Sequence, residues 1–399
     1  MSDPWLTIVG LGEDGPAGLS QASRDAIAGA EVIFGGPRHL ELIGKLIGTD
    51  AQGHAWPVPF SIAPVLDHRG RKVVVLASGD PFWFGAGGSL VRHLRPGEWV
   101  CHPAPSTFSW AAARLGWRLE ETLCLGLHAA PLSRLRPVLA RGLRLICLLR
   151  DGAAVAELAD WLTGAGFGDS RLWVLEALGG PRERIRQARA ARFDLSDIHA
   201  PVAVAIEAEG APGLPRSPGL PEDLFVHDGQ ITKRHVRALT IAALAPRPGE
   251  CLWDLGAGSG SVSVEWCLAA PAATAHSVES RQDRAENIRA NADAFGLGHR
   301  MSVHQGDWPD CLDALPRPDA VFVGGGLDGV AFDRLWSAMP DHARLVVNTV
   351  TLETESLVAG LHARMGGTLV RIGIEEAAPL GRMRGWVPAR PVVQWSIIK

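Results

Sequence analysis

The chain has 399 residues, of which 47% are hydrophobic and 21% charged, which suits two or three folded domains and excludes a disordered protein. Its formal net charge of −4 provides no basic field, so a nucleic-acid partner is not expected. No apolar run reaches the roughly 18 residues that a membrane span needs, and the start Met1-Ser2-Asp3-Pro4 lacks the basic and apolar regions of a signal peptide.

The six cysteines indicate a reducing compartment. None forms a C-x-x-C pair, and none has a histidine at the spacing of metal ligands. We therefore expect reduced, mostly buried cysteine side chains, no metal site, and a cytoplasmic protein.

Short β-rich runs alternate with helical stretches along the first half of the chain. This alternation is typical of an α/β domain with a mostly parallel sheet. We predict strands at 6–9, 72–77, 143–149, 171–176 and 201–206, and helices at 20–29 and 153–163.

Glycine-rich turns follow the first two of these strands. Segment 8–15 reads IVGLGEDG and segment 77–85 reads ASGDPFWFG. Either turn alone is weak evidence, because such sequences are common in turns. Three further segments accompany them, with the sequences GGPRHL at 35–40, PAPSTFSWAAARLG at 103–116 and EALGGPRER at 176–184. The set, which spans about 1–206, resembles the tetrapyrrole (corrin/porphyrin) methylase family, in particular its precorrin C5-methyltransferase branch.

This resemblance implies a two-lobed class III methyltransferase fold with S-adenosylmethionine folded in a cleft between two α/β lobes. The residues that it implies as neighbours of the cofactor are Gly79, Asp80, Trp83, Ser106 and Thr107. It further implies that Gly10 and Gly12 form the floor of the substrate trough, and that this half methylates carbon 5 of a tetrapyrrole.

The clearest break in the chain is segment 210–221, GAPGLPRSPGLP. Its four prolines and three glycines cannot carry a helix or a central strand, so we interpret it as a linker or exposed loop. We expect one domain at 1–208, a linker at 209–221 and a second domain at 222–399. No repeat relates the two halves, which predicts two different folds that share a cofactor.

The second half also alternates strands and helices. We predict strands at 251–254, 275–278, 302–304, 320–323, 344–348, 368–374 and 392–398. The segment between the last two is rich in glycine, proline and arginine, which predicts a closing antiparallel hairpin. Thr232 is the predicted N-cap of the helix before the first of these strands.

The strongest motif of the chain is segment 251–260, CLWDLGAGSG, in which an apolar strand runs into a glycine loop. Glycines let the backbone turn sharply and approach a ligand closely. The spacing D-x-G-x-G-x-G, with Asp254 before the glycines, differs from the dinucleotide fingerprint G-x-G-x-x-G. Acids also follow the next two strands, at Glu279 and Asp307. This pattern resembles motif I and its partner acids in the class I (Rossmann-like) methyltransferases.

Three glycines at 324–326 follow the fourth strand of this half. Many methyltransferases that act on nitrogen carry a polar Asn/Asp-Pro-Pro-aromatic element there, so the glycines favour a carbon nucleophile and a bulky, flat substrate. Together with segments 223–234 and 347–352, these features resemble the decarboxylating precorrin methyltransferase domain over nearly all of 220–399. The resemblance implies methylation of carbon 15 and decarboxylation of the ring C acetate.

Candidate site residues in the second half follow from these motifs. The predicted cofactor-binding residues are Asp254, Gly256, Gly258, Gly260, Glu279, Asp307 and Trp308. The macrocyclic substrate that the resemblance implies carries many carboxylates, so we expect cations around it. The predicted substrate-binding residues are Thr232, Lys233, Arg234, Gly324, Gly325, Gly326, Asn348, Arg382, Arg384 and Arg390. No catalytic residue is identified, although His227 and His235 are candidates for proton transfer.

The halves together predict an α/β protein, with a tetrapyrrole methylase fold followed by a class I fold whose mostly parallel sheet has seven strands. One S-adenosylmethionine site is expected in each domain, and the protein is expected to form a homo-oligomer. The two resemblances imply methylation of carbons 5 and 15 of precorrin-6B, with loss of the ring C acetate as carbon dioxide, to give precorrin-8X in cobalamin biosynthesis.

Three other hypotheses are open at this point. The same chemistry could act on a cobalt-containing macrocycle. The second half could instead methylate RNA or protein, with the first half as a binding module. Finally, one half could retain a cofactor fold and serve only as a scaffold for the other.

Overall fold

The computed structural model describes residues 4–49 and 51–399. The signal-peptide expectation rests partly on residues 1–3, which lie outside these ranges. The chain folds into two compact units. The first consists of Met1–Leu132 and Leu139–Pro212, and the second consists of Ser133–Val138 and Gly213–Lys399. We call them the N-terminal and the C-terminal unit. Within the described residues, no helix is both long and apolar enough to cross a bilayer.

The N-terminal unit contains two five-stranded sheets in its described residues. Its strands are β1 Leu6–Leu11, β2 Val32–Gly35, β3 Gln52–Ala55, β4 Val73–Ser78, β5 Trp99–His102, β6 Thr122–Gly126, β7 Arg144–Leu149, β8 Arg171–Glu176, β9 Arg184–Arg189 and β10 Val202–Glu207. Its α-helices are α1 Gln21–Ala28, α2 Pro37–Ile43, α3 Ala63–Leu66, α4 Gly87–Val91, α5 Thr107–Leu115 and α6 Ala153–Gly164.

The first of these sheets is entirely parallel, and the second is mixed. Their strand orders are β3-β2-β4-β1-β5 and β6-β7-β10-β8-β9. In the second sheet β6 and β7 are parallel, whereas β10 runs against both β7 and β8. Because β1 lies between β4 and β5, the turns that follow these three strands meet at one edge of the sheet.

The C-terminal unit is a doubly wound domain with a seven-stranded sheet. Its strands are β11 Cys251–Leu255, β12 Thr274–Glu279, β13 Met301–Gln305, β14 Ala320–Val323, β15 Arg344–Thr349, β16 Thr368–Ile372, β17 Glu375–Leu380, β18 Met383–Pro388 and β19 Val392–Ile398. Its α-helices are α7 Arg234–Leu244, α8 Ser261–Ala269, α9 Gln282–Ala294, α10 Trp308–Cys311, α11 Gly329–Ala338 and α12 Leu352–Met365.

The strand order of this sheet is β13-β12-β11-β14-β15-β19-β16, and β19 alone opposes the direction of the others. Apolar clusters cover both faces, one around Trp266 and Phe322 and the other around Trp253 and Trp395. Burial on both faces explains why the central strands are nearly continuous apolar runs. The predicted fold class is therefore confirmed for both halves of the chain.

The predicted strands all occur, within one or two residues at most ends. The prediction missed β2, β3, β5, β6 and β9, which are four to six residues long. It was also incomplete between β16 and β19, because the joining segment forms a separate two-stranded antiparallel ribbon of β17 and β18. The predicted N-cap of α7 was wrong by one residue: Lys233 occupies that position, and the Glu222 carboxylate accepts a hydrogen bond from the Arg234 backbone at 2.8 Å.

A buried ion pair holds the segment that precedes the C-terminal sheet. Arg237 and Glu265 are 0% and 3% exposed, and their Nε and Oε1 atoms are 2.6 Å apart. Glu265 also accepts hydrogen bonds from the backbone of Gly219 and Leu220, at 2.7 and 2.8 Å. Arg237 donates to the carbonyl oxygens of Thr232, at 2.5 Å, and of Leu220. Segment 210–221 is irregular, as predicted, but Leu220 is buried in the core and is not part of an exposed loop.

Replacing Glu265 by glutamine should destabilise the C-terminal unit by about 3–5 kcal/mol, because the Arg237 charge would stay buried without a counter-charge. The free energy of unfolding, measured by urea denaturation of the full chain, checks this. The matched control is Asp310→Asn, which breaks the exposed Arg334–Asp310 pair at 2.8 Å and should change stability by less than about 1 kcal/mol. Equal effects of the two substitutions would contradict the prediction.

Candidate functional sites

The C-terminal cavity opens where the chain changes direction across its sheet. From β11 the chain proceeds outward to β12 and β13, and it then returns to β14 on the other side of β11. Ligands of open α/β sheets bind beside such a switch point, at the carboxyl ends of the strands. Here the loops that follow β11 and β14 are both rich in glycine.

The two glycine loops pack backbone against backbone. Gly256 has a φ of +69°, and a Cβ atom placed on it would lie 3.0 Å from the carbonyl oxygen of Gly325. A Cβ on Gly324 would lie 3.0 Å from the carbonyl oxygen of Gly256. The Gly324 amide also donates to the Leu255 carbonyl at 2.9 Å. A side chain at 256 or 324 would require the facing loop to shift by a few tenths of an ångström, and the positive φ at 256 favours glycine there in addition.

Two of the predicted acids lie behind the cavity wall and form hydrogen bonds that hold the β11 loop and the helix after it. Asp254 is fully buried, and its Oδ2 accepts from the Ser263 backbone at 3.2 Å and from its hydroxyl at 2.6 Å. Burial raises the pKa of Asp254 to about 6, against the opposing hydrogen bonds from Ser263. Glu279 accepts from the Gly258 amide at 2.8 Å. Neither carboxylate belongs to the cavity wall, although Gly256 and Gly258 do.

The third acid and its neighbouring tryptophan also lie outside the wall. Asp307 is exposed on the surface. Trp308 is buried, and its indole nitrogen donates to the Gly325 carbonyl at 3.1 Å. Gly260 caps α8 with a φ of +70° and packs against Ile288. Trp308 thus contacts the loop after β14 and Gly260 ends the loop after β11, whereas Gly324, Gly325 and Gly326 line the cavity itself.

The C-terminal cavity has a volume of about 1170 Å³. It contains an unpartnered polar atom: the Ser259 hydroxyl is buried in the wall and forms no hydrogen bond with any described residue. A buried hydroxyl without a partner costs free energy unless a ligand or water satisfies it. The cavity wall therefore offers a ready hydrogen-bonding group beside the glycine loop.

Cationic side chains stand around this cavity. Lys233, Arg234 and Arg390 line it, and none of the three forms an ion pair with a described residue. Arg284 also lines it, but its charge is paired with Asp228 at 2.9 Å. Positive charge without a protein partner suits a ligand that carries carboxylates.

Only some of the other predicted substrate residues line the cavity. Thr232 and Asn348 line the cavity, but the Asn348 amide is already bonded to Thr240 at 2.8 Å and to Gln394 at 2.9 Å. The structure does not bring Arg382 and Arg384 to the cavity; both are exposed at the ribbon of β17 and β18. Spacing alone could not reveal this, because the length of the ribbon decides how far its tip extends.

Of the two histidine candidates, only one belongs to the cavity wall. His235 lines the cavity, whereas His227 lies outside the wall and its Nδ1 accepts from the Gly229 amide at 3.0 Å.

The N-terminal unit also joins two glycine turns by close backbone contact. A Cβ atom on Gly10 would lie 2.0 Å from the Gly79 carbonyl oxygen and 2.5 Å from the Ala104 amide. Gly79 has a φ of +56°, and a Cβ there would lie 2.8 Å from the Ser106 Cα. The turns after β1, β4 and β5 therefore share one compact edge. Gly10 supports this edge from behind and is not in the cavity wall.

A cavity of about 700 Å³ lies in front of this edge. The predicted residues in its wall are Gly12, Gly79, Trp83, Ser106 and Thr107. The predicted cofactor residue Asp80 lies outside it, and its carboxylate accepts from the Phe82 amide at 2.9 Å, which closes the turn. The Trp83 ring packs on Phe108 with ring centroids 4.8 Å apart, which makes one side of the cavity aromatic.

A polar cluster in the N-terminal cavity was missed by the sequence analysis. It consists of Glu13 after β1, Arg38 and His39 in α2, and Ser78 at the end of β4, all of which line the cavity. The Ser78 hydroxyl is 2.9 Å from both the Arg38 guanidinium and His39 Nε2. Glu13 forms ion pairs with Arg38 and with Arg182, the latter at 3.3 Å. The motif at 35–40 was visible, but its sequence could not show that Ser78, forty residues later, would lie beside it.

The two halves of the chain match different family models. A model described as "Precorrin methyltransferase domain" matches residues 223–399, and one described as "Tetrapyrrole (Corrin/Porphyrin) Methylases" matches residues 5–194. The whole chain is 48% identical over 401 residues to the precorrin-6Y C(5,15)-methyltransferase (decarboxylating) of a Sinorhizobium species. That alignment covers 99% of this chain and 97% of the relative. The chain belongs to the precorrin-6Y C(5,15)-methyltransferase family.

A second member of this family, from Mycobacterium tuberculosis, is 38% identical over 403 residues and is covered over 100% of its length. Among solved structures, the C-terminal domain of the precorrin-6Y C5,15-methyltransferase from Rhodobacter capsulatus is 56% identical. It covers 47% of this chain and 100% of its own chain, with a TM-score of 0.45.

Alanine at Gly256 should destabilise the C-terminal unit by about 1–2 kcal/mol, because a Cβ atom disfavours a positive φ and would press on Gly325. Gly325→Ala is the matched control in the facing loop, since nothing lies within 4 Å of a Cβ there. Thermal and urea unfolding of both variants check the difference. A larger loss of stability in Gly325→Ala than in Gly256→Ala would contradict this packing of the two loops.

The N-terminal unit should lose stability as the pH falls from about 6.5 to about 4. Burial, together with the Arg38 charge, lowers the pKa of His39 to about 4. In this window the unfolded chain binds a proton at His39 and the folded chain does not, so the loss reaches about 3 kcal/mol. His39→Gln removes the titrating group. Urea denaturation at pH 7 and pH 5 should therefore show a smaller pH effect for the variant, and an unchanged pH effect would refute this assignment.

Proposed function

We propose that the chain is a bifunctional S-adenosylmethionine-dependent methyltransferase of cobalamin biosynthesis. It methylates carbons 5 and 15 of precorrin-6B and removes the ring C acetate as carbon dioxide, which gives precorrin-8X. The observation that carries the proposal is the presence of two separate cavities in one chain, each beside glycine turns at the carboxyl edge of a parallel sheet. The relatives that match over the full length are named for this pair of methylations and for decarboxylation.

The proposal assigns one methyl-donor site to each unit. In the C-terminal unit, the turns at Gly256 and Gly324 leave their backbones open to the cavity, and the Ser259 hydroxyl is available as a hydrogen-bond donor or acceptor. In the N-terminal unit, Gly79 and Ser106 line the cavity, and Trp83 provides an aromatic side. These features fit a ligand with a flat base, a ribose and a charged amino-acid end.

The C-terminal cavity also suits a polyanionic macrocycle. Its volume of about 1170 Å³ exceeds the roughly 300–1,000 Å³ of ordinary ligand pockets, so donor and macrocycle can occupy it together. Lys233, Arg234 and Arg390 supply positive charge at its rim. We assign these three cations, rather than Arg382 and Arg384, to the side-chain carboxylates of the substrate.

The contribution of the protein to methyl transfer is mainly placement. S-adenosylmethionine supplies a methyl group on a sulfonium, which is already a good leaving group. The meso carbons of a reduced tetrapyrrole are nucleophilic through conjugation with the ring nitrogens. Holding the two reactants in line contributes roughly 7–11 kcal/mol of barrier lowering. The glycines at 324–326 leave space for a flat ring at this point of the cavity wall.

Decarboxylation requires an electron sink and a proton. The carbon–carbon bond to the carboxylate breaks, carbon dioxide leaves, and the electron pair passes into a conjugated, protonated imine of the macrocycle. A proton must then reach the remaining methylene to complete the methyl group. His235 lines the cavity, so we retain it as the candidate for this transfer and set aside His227.

We further assign carbon 5 to the domain at 1–208, and carbon 15 with decarboxylation to the domain at 222–399, with 209–221 as the linker. We also propose that the enzyme acts as a homo-oligomer in the cytoplasm, on a small molecule and without nucleic acid. Light scattering of the purified chain tests the oligomeric state, and a titration with RNA at low salt tests the absence of nucleic-acid binding.

Products of the wild-type chain test the proposed reaction directly. Incubation with metal-free precorrin-6B should yield two added methyl groups and one lost carbon dioxide by mass spectrometry. A parallel incubation with the cobalt-loaded precursor tells the two substrates apart. A methyl group on nitrogen or oxygen, or turnover of the cobalt form alone, would overturn the proposal.

Variants of the two glycine turns should separate the two methylations. Gly79→Ala should abolish transfer to carbon 5 and spare carbon 15, because a Cβ at 79 would collide with Ser106 at the donor cavity. Gly256→Ala should do the reverse. A ¹³C-labelled methyl donor, with NMR of the product, identifies the carbon that is labelled, and circular dichroism checks that both variants are folded. If either variant lost both methylations while folded, the assignment of one donor site to each unit would be wrong.

A further inference from the structure

We propose that Ser78 and Arg38 form a recognition site for one side-chain carboxylate of the macrocycle in the N-terminal cavity, with His39 as the residue that positions the Ser78 hydroxyl. This inference rests on the proposed function. It concerns the polar cluster of Glu13, Arg38, His39 and Ser78 together with Arg182, which pairs with Glu13 from outside the cavity wall. The sequence motifs assigned these residues no role.

The direction of the Ser78 hydroxyl follows from its neighbours. The Gly36 amide donates to His39 Nδ1 at 3.3 Å, and with the lone pair on Nδ1 the ring proton is on Nε2. Arg38 Nη2 lies 3.1 Å from Nε2 and can only donate, so in this tautomer the two nitrogens lie side by side and both donate to the Ser78 oxygen. The Nε2 proton then points to the Ser78 oxygen at 2.9 Å. Arg38 can only donate, and its Nη2 also reaches that oxygen at 2.9 Å. With both lone pairs of the oxygen occupied, Ser78 can use its own proton only as a donor to a further group.

The burial of the cluster decides where that further group lies. Glu13 and His39 are 8% and 9% exposed, whereas Ser78 is exposed and lines the cavity. The base of the cluster is therefore shielded from water, and its donor points toward the cavity. A charged hydrogen bond formed in such a place is stronger than one formed on the surface.

The charge of the cluster selects an anion. Glu13 carries one negative charge, and Arg38 and Arg182 carry two positive charges, so one positive charge is left over. These residues come from both sheets of the unit, since Glu13 follows β1 and Arg182 lies between β8 and β9. A planar guanidinium beside a hydroxyl donor matches the two oxygens of a carboxylate.

The net positive charge of these residues disfavours an ammonium group. The lone pairs of Ser78 are used by Arg38 and His39, and the Glu13 carboxylate is already paired with two arginines. The amino-acid end of the methyl donor carries an ammonium next to its carboxylate, and the two arginine charges would repel that ammonium. A simple acetate or propionate side chain of the macrocycle needs only donors, so it fits better.

The test uses the full chain and follows transfer of a ¹³C-labelled methyl group to carbon 5. Ser78→Ala should raise the KM for the macrocycle in this step about tenfold or more, which corresponds to loss of one charged hydrogen bond. Transfer to carbon 15 and decarboxylation by the same chain should be unchanged. Ser78→Thr keeps the hydroxyl and should restore most of the affinity. Ser89→Ala removes another hydroxyl from this cavity and should have an effect of less than about twofold.

The positioning role of His39 needs a readout that a purely structural role would not change. His39→Gln keeps an N–H donor and should hold KM near the wild-type value, whereas His39→Phe should raise KM with little change in kcat. Donor affinity of the N-terminal unit, measured by isothermal titration calorimetry, should be the same in all these variants.

Three results would overturn the inference. In the first, the wild type methylates carbon 5 and Ser78→Ala does so with the wild-type KM. In the second, Ser78→Ala weakens donor binding and leaves the macrocycle KM unchanged, which would assign the cluster to the donor carboxylate. In the third, His39→Gln is as impaired as His39→Phe, so the N–H donor is not what matters. Failure of the proposed function is distinct, because the wild type itself would then leave carbon 5 unmethylated.

Discussion

Close contact between glycine backbones is the constraint on which both sites depend. In the C-terminal unit, Gly256 and Gly324 bring two loops together at the switch point of the sheet, and in the N-terminal unit Gly10 lies against the Gly79 turn. A methyl group at any of these four positions would approach a backbone atom to 3.0 Å or less. The contacts bring the strand ends together without side chains between them, which leaves room for a ligand in front. Two unrelated sheets thus meet the same steric need in the same way.

Hydrogen bonds and an ion pair between buried polar groups then hold the loops and segments whose positions the glycine contacts do not determine. Glu279 holds the Gly258 amide, and Asp254 ties the end of β11 to α8 through Ser263. The Arg237–Glu265 pair holds the segment that carries Lys233 to the rim of the cavity. These groups act one layer behind the wall. Their effect on chemistry is therefore indirect: they orient the surface that a ligand touches.

The two cavities differ in how they present charge. Around the C-terminal cavity, Lys233, Arg234 and Arg390 stand without ion-pair partners among the described residues, which suits a substrate bearing several carboxylates. In the N-terminal cavity the charge is concentrated in one cluster, where Glu13 holds Arg38 and Arg182 together. Under the proposed assignment of one methylation to each unit, a different edge of the ring faces the donor in each case, which would require the macrocycle to be held differently in the two units.

The sequence by itself determined the fold class, the long strands and the glycine turns, because apolar runs and D-x-G-x-G-x-G spacing are local properties. The four-residue strand β2 and the polar edge strand β9 escaped prediction, since neighbours in the sheet rather than composition stabilise them. Only the tertiary structure decided that Asp254 supports the loop from beneath, that Arg390 reaches the cavity while Arg382 does not, and that Ser78 meets His39. The physical reason is that these relations join residues distant in the chain, whose positions depend on packing and on the length of a ribbon.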